Sequence, residues 1–329
     1  MAATVFRRSH HLTTVEILDL RHFASADLRS LLEEEVETWR SLLCWDYRSS
    51  ADMILRYVDA KILPGYAAVE RGSIVGYSFF VYEGSKGVVG DLFVSPQRSD
   101  AHRIEAQMAE HVIETLQQSP GIHRVEAQLL THPTDDLAAV FSSAGFQRYR
   151  RLFLQLPLRG DEARLLPSMP LPQEIQIRPW LEQDYQPAAS VITASYRAHI
   201  DSEINDQYRT HGGSMRFLNN IVRFPGCGVF DAECSFAAIH RPTNVLVGLI
   251  LCSRVKHDVG HCTQVCLLTE YRRQGIGESL IACAASALHN RHCNRLTLTV
   301  TEMNDRAVGL YKRLGFVESS VFDAFVWEG

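Results

Sequence analysis

The sequence predicts two tandem α/β domains, each a mixed, mostly antiparallel sheet flanked by helices. Three observations carry that expectation. The chain has 329 residues, and single cores rarely keep growing past about 250 to 300. Its halves also repeat: "THPTDDLAAVFSSAGF" from Thr131 answers "TEMNDRAVGLYKRLGF" from Thr301, and one offset of 170 pairs Asp135 with Asp305, Gly145 with Gly315 and Phe146 with Phe316. Finally, apolar runs of strand length alternate with helix-patterned stretches along both halves.

The first copy runs from Val15 to Leu158. In it "GDLFVSP" (90–96) reads as a strand leading to a loop and then a helix, and "RLFLQLPL" from Arg151 as a closing strand. The stretch 157–174 holds Pro157, Pro167, Pro170 and Pro172 without an apolar period. It reads as a linker, dividing the chain into a first domain at 1–160, a linker at 161–174 and a second domain at 175–329.

The second copy opens with "IQIRPW" alternating as a strand from Ile175, and "YQPAASVITASYRAHI" predicts a helix over 185–200. "SFAAIH", "VLVGLILCSRV" and "HCTQVCLL" follow as strands. Ile276, Leu280, Ile281, Ala284, Ala287 and Leu288 then form one apolar helix face. "RLTLTV" (295–300) alternates strictly, a helix is expected from about Asn304 to Leu314 with Gly315 stopping it, and final strands close the chain.

Composition narrows the function. With 46% hydrophobic and 22% charged residues the chain is an ordinary globular protein, and a net charge of -5 argues against holding nucleic acid by phosphate neutralisation. No apolar run approaches the roughly 20 residues that cross a bilayer, and "MAATVFRRSHHLTTVEIL" lacks a secretory signal's apolar segment, so a cytoplasmic protein without membrane contact is expected. Seven of the eight cysteines (Cys227, Cys234, Cys252, Cys262, Cys266, Cys283, Cys293) lie in the second half without the paired spacing of zinc sites. They read as reduced and mostly buried, and no metal is expected.

The stretch "YRRQGIGESL" (271–280) places two glycines between a strand and a helix. Such a turn aims successive backbone N–H groups at one point, beside a helix N-terminus worth about half a positive charge. A Rossmann turn would need a third glycine and a P-loop a Gly-Lys-Ser/Thr, whereas Gly277 is followed by Glu278 and Ser279. Arg272-Arg273-Gln274-Gly275-Ile276-Gly277 resembles instead the Gln/Arg-x-x-Gly-x-Gly/Ala signature of the GNAT acyltransferase superfamily. Asn304 through Phe316 resembles that family's second motif, Asn-x-x-Ala ending in Tyr-x-x-x-Gly-Phe. The two motifs span 261–316 at the family's spacing, and the first half looks like an eroded copy.

The resemblance implies transfer of an acetyl group from acetyl-CoA, as co-substrate, to an amine. It implies that Arg272, Arg273, Gln274, Gly275, Ile276 and Gly277 hold the pyrophosphate. It further implies that Val265, Cys266 and Leu267 lie along the pantetheine arm and donate a backbone N–H to the thioester oxygen. Tyr311 falls at the position where many members use a tyrosine as general acid toward the sulfur; an amphipathic helix tyrosine packed on Leu314 and Phe316 is the structural alternative. His261 falls where some members carry a base, and a strand-end histidine in a structural hydrogen bond carries comparable weight. Asn304 matches a pantetheine-binding asparagine and is equally placed to cap a helix. Among the nearby cations, phosphate contact is expected of Arg272 and Arg273, with Lys312 and Arg313 in solvent.

In the first copy "SPQRSDAHRIEAQMAEHVIETL" has no glycine, carries Asp100 and Glu105 where phosphate would come, and pairs Thr134 with Asn304 and Phe141 with Tyr311. A non-catalytic first domain follows, whose work is to wall the substrate cleft; Trp39, Trp45 and Tyr47 fit that wall or the core. The leading expectation is a small-molecule amine as acceptor, with a protein or peptide amine second and a non-catalytic acyl-CoA sensor third. Retention of Tyr311 speaks against the sensor. A homodimer is compatible with each.

Overall fold

The computed structural model describes residues 15–160, 166, 170–223 and 228–329. Its first half contains β1 (Glu16–Asp19), α1 (Ser25–Leu43), α2 (Arg48–Asp59), β2 (Gly65–Glu70), β3 (Ser73–Glu83), β4 (Lys86–Val94), α3 (Ala101–Gln118), β5 (Arg124–Gln128), α4 (Ala138–Ser143) and β6 (Gln147–Pro157). The second contains β7 (Ile175–Pro179), α5 (Tyr185–Ser195), α6 (Ile200–Ile204), α7 (His211–Arg223), β8 (Val229–Phe230), β9 (Phe236–His240), β10 (Val245–Lys256), β11 (Val259–Leu267), α8 (Ile276–Asn290), β12 (Arg295–Thr301), α9 (Asp305–Leu314) and β13 (Val317–Glu328). Most of the linker at 161–174, and Cys227, lie outside the described residues; the seven described cysteines carry free thiols. No helix among the described residues is long and apolar enough to cross a membrane.

The strands form one thirteen-stranded sheet in the order β1-β2-β3-β4-β5-β13-β6-β12-β11-β10-β9-β7, with β8 paired onto β10. Pairing is antiparallel except for β4 with β5 and β11 with β12. The two mixed, mostly antiparallel sheets therefore run together, and they do so by exchanging their last strands. β6 leaves the first half to pair with β12, from Arg295↔Pro157 to Thr301↔Arg151. β13 returns to pair with β5, from Ala324↔Gln128 to Glu328↔Arg124. Between them β6 and β13 pair with each other, with Arg151 opposite Phe322 and Leu152 opposite Val321. The offset of 170 converts one of these pairs into the other, so the two-fold relating the copies passes there.

Helices cover both faces. In the second half α8 and α9 pack on one face and α5 and α7 on the other; in the first half α3 and α4 oppose α1 and α2 in the same way. Trp39, Leu43, Trp45, Phe153, Val255, Val259 and Phe322 form a further apolar cluster that seals one copy against the other.

The repeat is carried by identical helix endings. Gly145 and Gly315 take φ of 83° and 92°, the left-handed geometry that glycine adopts without steric cost. The next N–H then reaches back, Phe146 to Phe141 and Phe316 to Tyr311. Two expectations are corrected. The helix over 185–200 stops at Ser195, because Ala198 takes φ of 54° and the His199 ring caps a new helix, its Nδ1 accepting from Asp201 N–H at 3.1 Å. The final strands are one strand of 12 residues, long enough to serve both β5 and β6.

Both copies open at the same point. β11 pairs with β12 only from Val259↔Arg295 to Cys262↔Leu298, and β4 with β5 only from Lys86↔Arg124 to Val89↔Ala127. One extra residue is inserted just beyond, Thr263 on β11 and Gly90 on β4. Such a bulge bends its strand and ends a ladder, leaving a wedge between two parallel strands.

In the first copy that wedge is backed by a buried acidic pair. Glu35 accepts from Trp39 Nε1 at 3.2 Å and from the Tyr77 hydroxyl at 2.6 Å, while Asp91 accepts from the Tyr47 hydroxyl at 2.7 Å. Burial pushes both carboxyls up, and Asp91 pushes Glu35 further. The folded state thus holds a proton that the unfolded chain releases, so stability is full below the ordinary carboxylate range and is lost as pH rises through the raised value. Measured against Glu35→Gln, the melting temperature of wild type should fall with pH above about 5, the window set by an ordinary glutamate. Parallel curves for the two proteins between pH 5 and 9 would show that the pair does not titrate with unfolding.

Candidate functional site

The turn before α8 is built around two left-handed residues, Arg273 with φ of 63° and Gly275 with φ of 78°. Gly275 heads the helix with no side-chain cap, so the first-turn N–H groups are left to an outside acceptor. The demand at Gly275 is conformational; at Gly277 a Cβ would meet Leu267 Cδ1 only at 3.5 Å, ordinary contact. Among the described residues of the first copy's turn, 95–100, none has a positive φ.

Beside the turn lies the free edge of β11. Leu268 N–H bonds Val247 O at 2.9 Å, toward β10, so strand alternation directs Cys266 to β10 as well and aims the N–H groups of Val265 and Leu267 into the wedge. The Leu267 carbonyl confirms the sense by accepting from Arg272 Nε at 3.2 Å. Arg272 Nη2 also donates to Ser195 O at 2.8 Å, tying the end of α5 to this edge.

A cavity of about 1040 Å³ joins these parts, and every sequence-predicted site residue borders it except Gln274 and Ile276. Gln274 Nε2 donates to Glu270 O at 2.9 Å and Ile276 is wholly buried in the core, so only their backbone faces the turn. Tyr311 is 6% exposed, with its ring 5.5 Å from Phe316. Burial, reinforced by neighbouring Cys262 and Asp201, pushes its hydroxyl well up, and the group stays protonated. Packing and access to the cavity are thus both present. Asn304 likewise does both things asked of it: Oδ1 accepts from Ala307 N–H at 3.3 Å and the residue borders the cavity.

His261 sits on the sheet face opposite α8, edge-on to Trp45 at 4.9 Å and stacked on Phe153 at 6.0 Å. Its Nδ1 lies 2.9 Å from Thr297 Oγ1, whose single proton goes to Gly260 O at 3.2 Å. Nδ1 is therefore the donor, and Nε2 carries the lone pair. Burial pushes the imidazole pKa down to about 3. The unfolded histidine binds a proton that the folded one refuses, so this residue costs stability as pH falls below 6.5 toward 3. Its ring ¹⁵N shifts should report the neutral Nδ1–H form from pH 8 down to about 4, and a titration near 6.5 would place the ring in contact with bulk water.

Several cavity residues gave no signal in the sequence. His199 and Asp201 arrive through the break after α5. Asp201 accepts from the Thr301 hydroxyl and from Arg151 Nη1 at 3.3 Å, and Arg151 Nη2 reaches Thr299 Oγ1 at 3.2 Å. His199 Nε2 is 3.4 Å from Asn304 Nδ2, and burial lowers its pKa. Gln264 accepts from the Tyr196 hydroxyl at 3.4 Å. Gln128, Leu130 and Arg151 come from the first copy, as does Trp45, which the sequence does offer for the cleft wall. Among the described residues no group of three or more His, Cys, Asp or Glu could hold a metal ion.

Comparison with known proteins matches residues 199–316 to the acetyltransferase (GNAT) family. An N-alpha-acetyltransferase of Sulfurisphaera tokodaii is 34% identical over 71 residues, 21% of this chain and 42% of its own length. A thialysine N-epsilon-acetyltransferase of Bos taurus is 40% identical over 63 residues, 18% of this chain and 37% of its own. The chain thus spans about two fifths of the length of these relatives. A GCN5-related N-acetyltransferase from Sphaerobacter thermophilus shares the fold over 95% of both chains, with a TM-score of 0.66 at 15% identity. A tandem GNAT protein from the clavulanic acid biosynthesis pathway does so over 96% of this chain and 98% of its own, with a TM-score of 0.59 at 17% identity.

Proposed function

Residues 199–316 match the acetyltransferase (GNAT) family, and from that premise we propose that the protein moves an acetyl group from acetyl-CoA to the primary amine of a small molecule. The observation that carries this reading is the meeting, in one cavity, of the uncapped α8 N-terminus at Gly275, the free edge of β11 and Tyr311. Bound there, acetyl-CoA supplies an activated acyl group.

The N–H groups at the start of α8 suit a pyrophosphate, and the unpaired backbone of β11 suits the amides of a pantetheine arm. The N–H of Val265 or Leu267 is placed to hold a carbonyl oxygen as it gains charge. The Tyr311 hydroxyl, protonated and without a hydrogen-bond partner among the described residues, is available to return a proton to sulfur. On the other face His261, kept neutral by burial with its lone pair at Nε2, is suited to orient a water that carries the amine proton away. The first copy keeps the wedge, lacks the left-handed turn and lends side chains to the cavity wall; we assign it a supporting, non-catalytic role within the division at 161–174.

A thermal-shift titration with acetyl-CoA followed by a panel of small amines, with free thiol read out, tests the proposal. Stabilisation together with CoA release on adding an amine is expected. Binding without release on any amine would leave a sensor, and release only with peptides would move the acceptor to proteins.

A further inference from the structure

The segment between α5 and α7 walls the cavity on one side and docks on the first copy with the other. Ile200, Asp201, Ile204, Asn205 and Tyr208 border the cavity, and Tyr208 packs with α5 and α7 on the sheet face away from α8. That face is left for the amine, because the turn at 272–277 and the free edge of β11 are assigned to the cofactor. Within the segment α6 has 5 residues and the helical turn after it 4. Pieces so short do not hold a shape unaided, so the wall takes its position from what it is docked on.

The docking is made by charged groups. Lys86, at the start of β4, reaches Asp206 at 2.6 Å, Glu126 of β5 at 3.1 Å and Glu83 of β3 at 3.4 Å. Glu126 also accepts the Asp206 N–H at 3.1 Å, so one carboxylate binds both the segment's backbone and the lysine that holds its side chain. Gln207 Nε2 donates to Glu83 at 3.1 Å, and Arg124 Nη2 to Glu203 O at 2.5 Å. Lys86, Glu126 and Gln207 are 4%, 6% and 6% exposed. A buried ion pair is weak evidence for stability, and its best-attested use is to fix one arrangement among several.

We propose that Lys86 and Glu126 are positioning residues for the acceptor: they fix the segment 199–209, and with it the wall that carries Ile204 and Tyr208, so that amine affinity in the second copy's site is set by an ion network of the first. The inference rests on the transferase reading above.

Asp206→Ala removes the segment's side of the pair and leaves Lys86 with Glu126 and Glu83, so the fold should be kept. With the amine that releases CoA fastest in the panel above, KM for the amine should rise about tenfold, a coupling of the size measured between contacting groups. Both kcat and KM for acetyl-CoA should stay within about twofold, because loss of uniform binding moves the amine KM alone. Asp206→Glu, which returns a carboxylate to Lys86, should restore the amine KM. Lys86→Met should act as Asp206→Ala does, and the double variant should go no further than the larger single; where Lys86→Met does not fold, the two Asp206 variants decide. Hydrogen exchange read by mass spectrometry reports the docking without turnover: amide protection over 199–209 should fall about tenfold in Asp206→Ala while α8 and β11 keep theirs. An unchanged amine KM in Asp206→Ala, no rescue by Asp206→Glu, or undiminished protection over 199–209 overturns the inference, and with wild-type turnover present each leaves the transferase reading intact. If wild type releases CoA with no amine, the transferase reading falls; protection lost over 199–209 alone then still supports the docking, and equal protection overturns it.

Discussion

Gly275→Glu should abolish acetyl-CoA binding while leaving the protein folded. With φ of 78° the position sits where an L residue pays about 1 to 2 kcal/mol, and the added carboxylate lands at the uncapped N-terminus of α8 where two phosphates would sit. The helix itself tolerates the acid, because a negative charge in the first turn suits its dipole. Loss of binding thus comes from the blocked cradle. A dissociation constant raised at least about 100-fold by calorimetry is expected, equivalent to roughly 2.7 kcal/mol. Gly275→Ala, which carries the backbone strain without the charge, should fall between. Tight binding retained in Gly275→Glu would remove the cradle from this turn.

Tyr311→Phe separates chemistry from binding. The phenyl ring keeps its contact with Phe316, and the lost hydroxyl bonds no described residue. The first copy already holds this arrangement, with Phe141 5.1 Å from Phe146. Turnover should fall about 10² to 10⁴-fold, the range for loss of a general acid, with acetyl-CoA affinity within about twofold of wild type. Unchanged turnover would return Tyr311 to the core as a packing residue. The burial that raises its pKa keeps the group protonated through neutral pH, so an alkaline limb of kcat in wild type should not come from Tyr311.

The features legible in the sequence are those whose causes are local. A glycine ending a helix, an asparagine capping one and two glycines around a turn each act within a few residues, which is why the offset of 170 found the matching ends at Gly145 and Gly315 and the stretch 271–280 marked the turn at Gly275. What stayed hidden depends on partners far along the chain. Nothing in the residues of β6 says whether it pairs with β5 or with β12, since either neighbour satisfies the same alternation. The end of α5 was masked because apolar spacing continues through Tyr196 while Ala198 turns left-handed. Arg151, more than 100 residues before His261 and Tyr311, becomes a cavity residue only through the exchange of β6. The face of His261 was likewise set by a bulge at Thr263, an irregularity that periodicity alone does not reveal.

The exchanged strands also fix an order of events in time. When residues 15–160 have left the ribosome, the outer edge of β5 still lacks β13, some 190 residues further on, and β6 has no β12 to meet. An unpaired central edge is a template for wrong pairing, and contacts so distant in sequence close slowly. The first half therefore cannot finish before β13 is made, and both halves are completed by the same pair of strands. Synthesis stalled within β13 would leave two open sheets in one polypeptide, exposed to aggregation together.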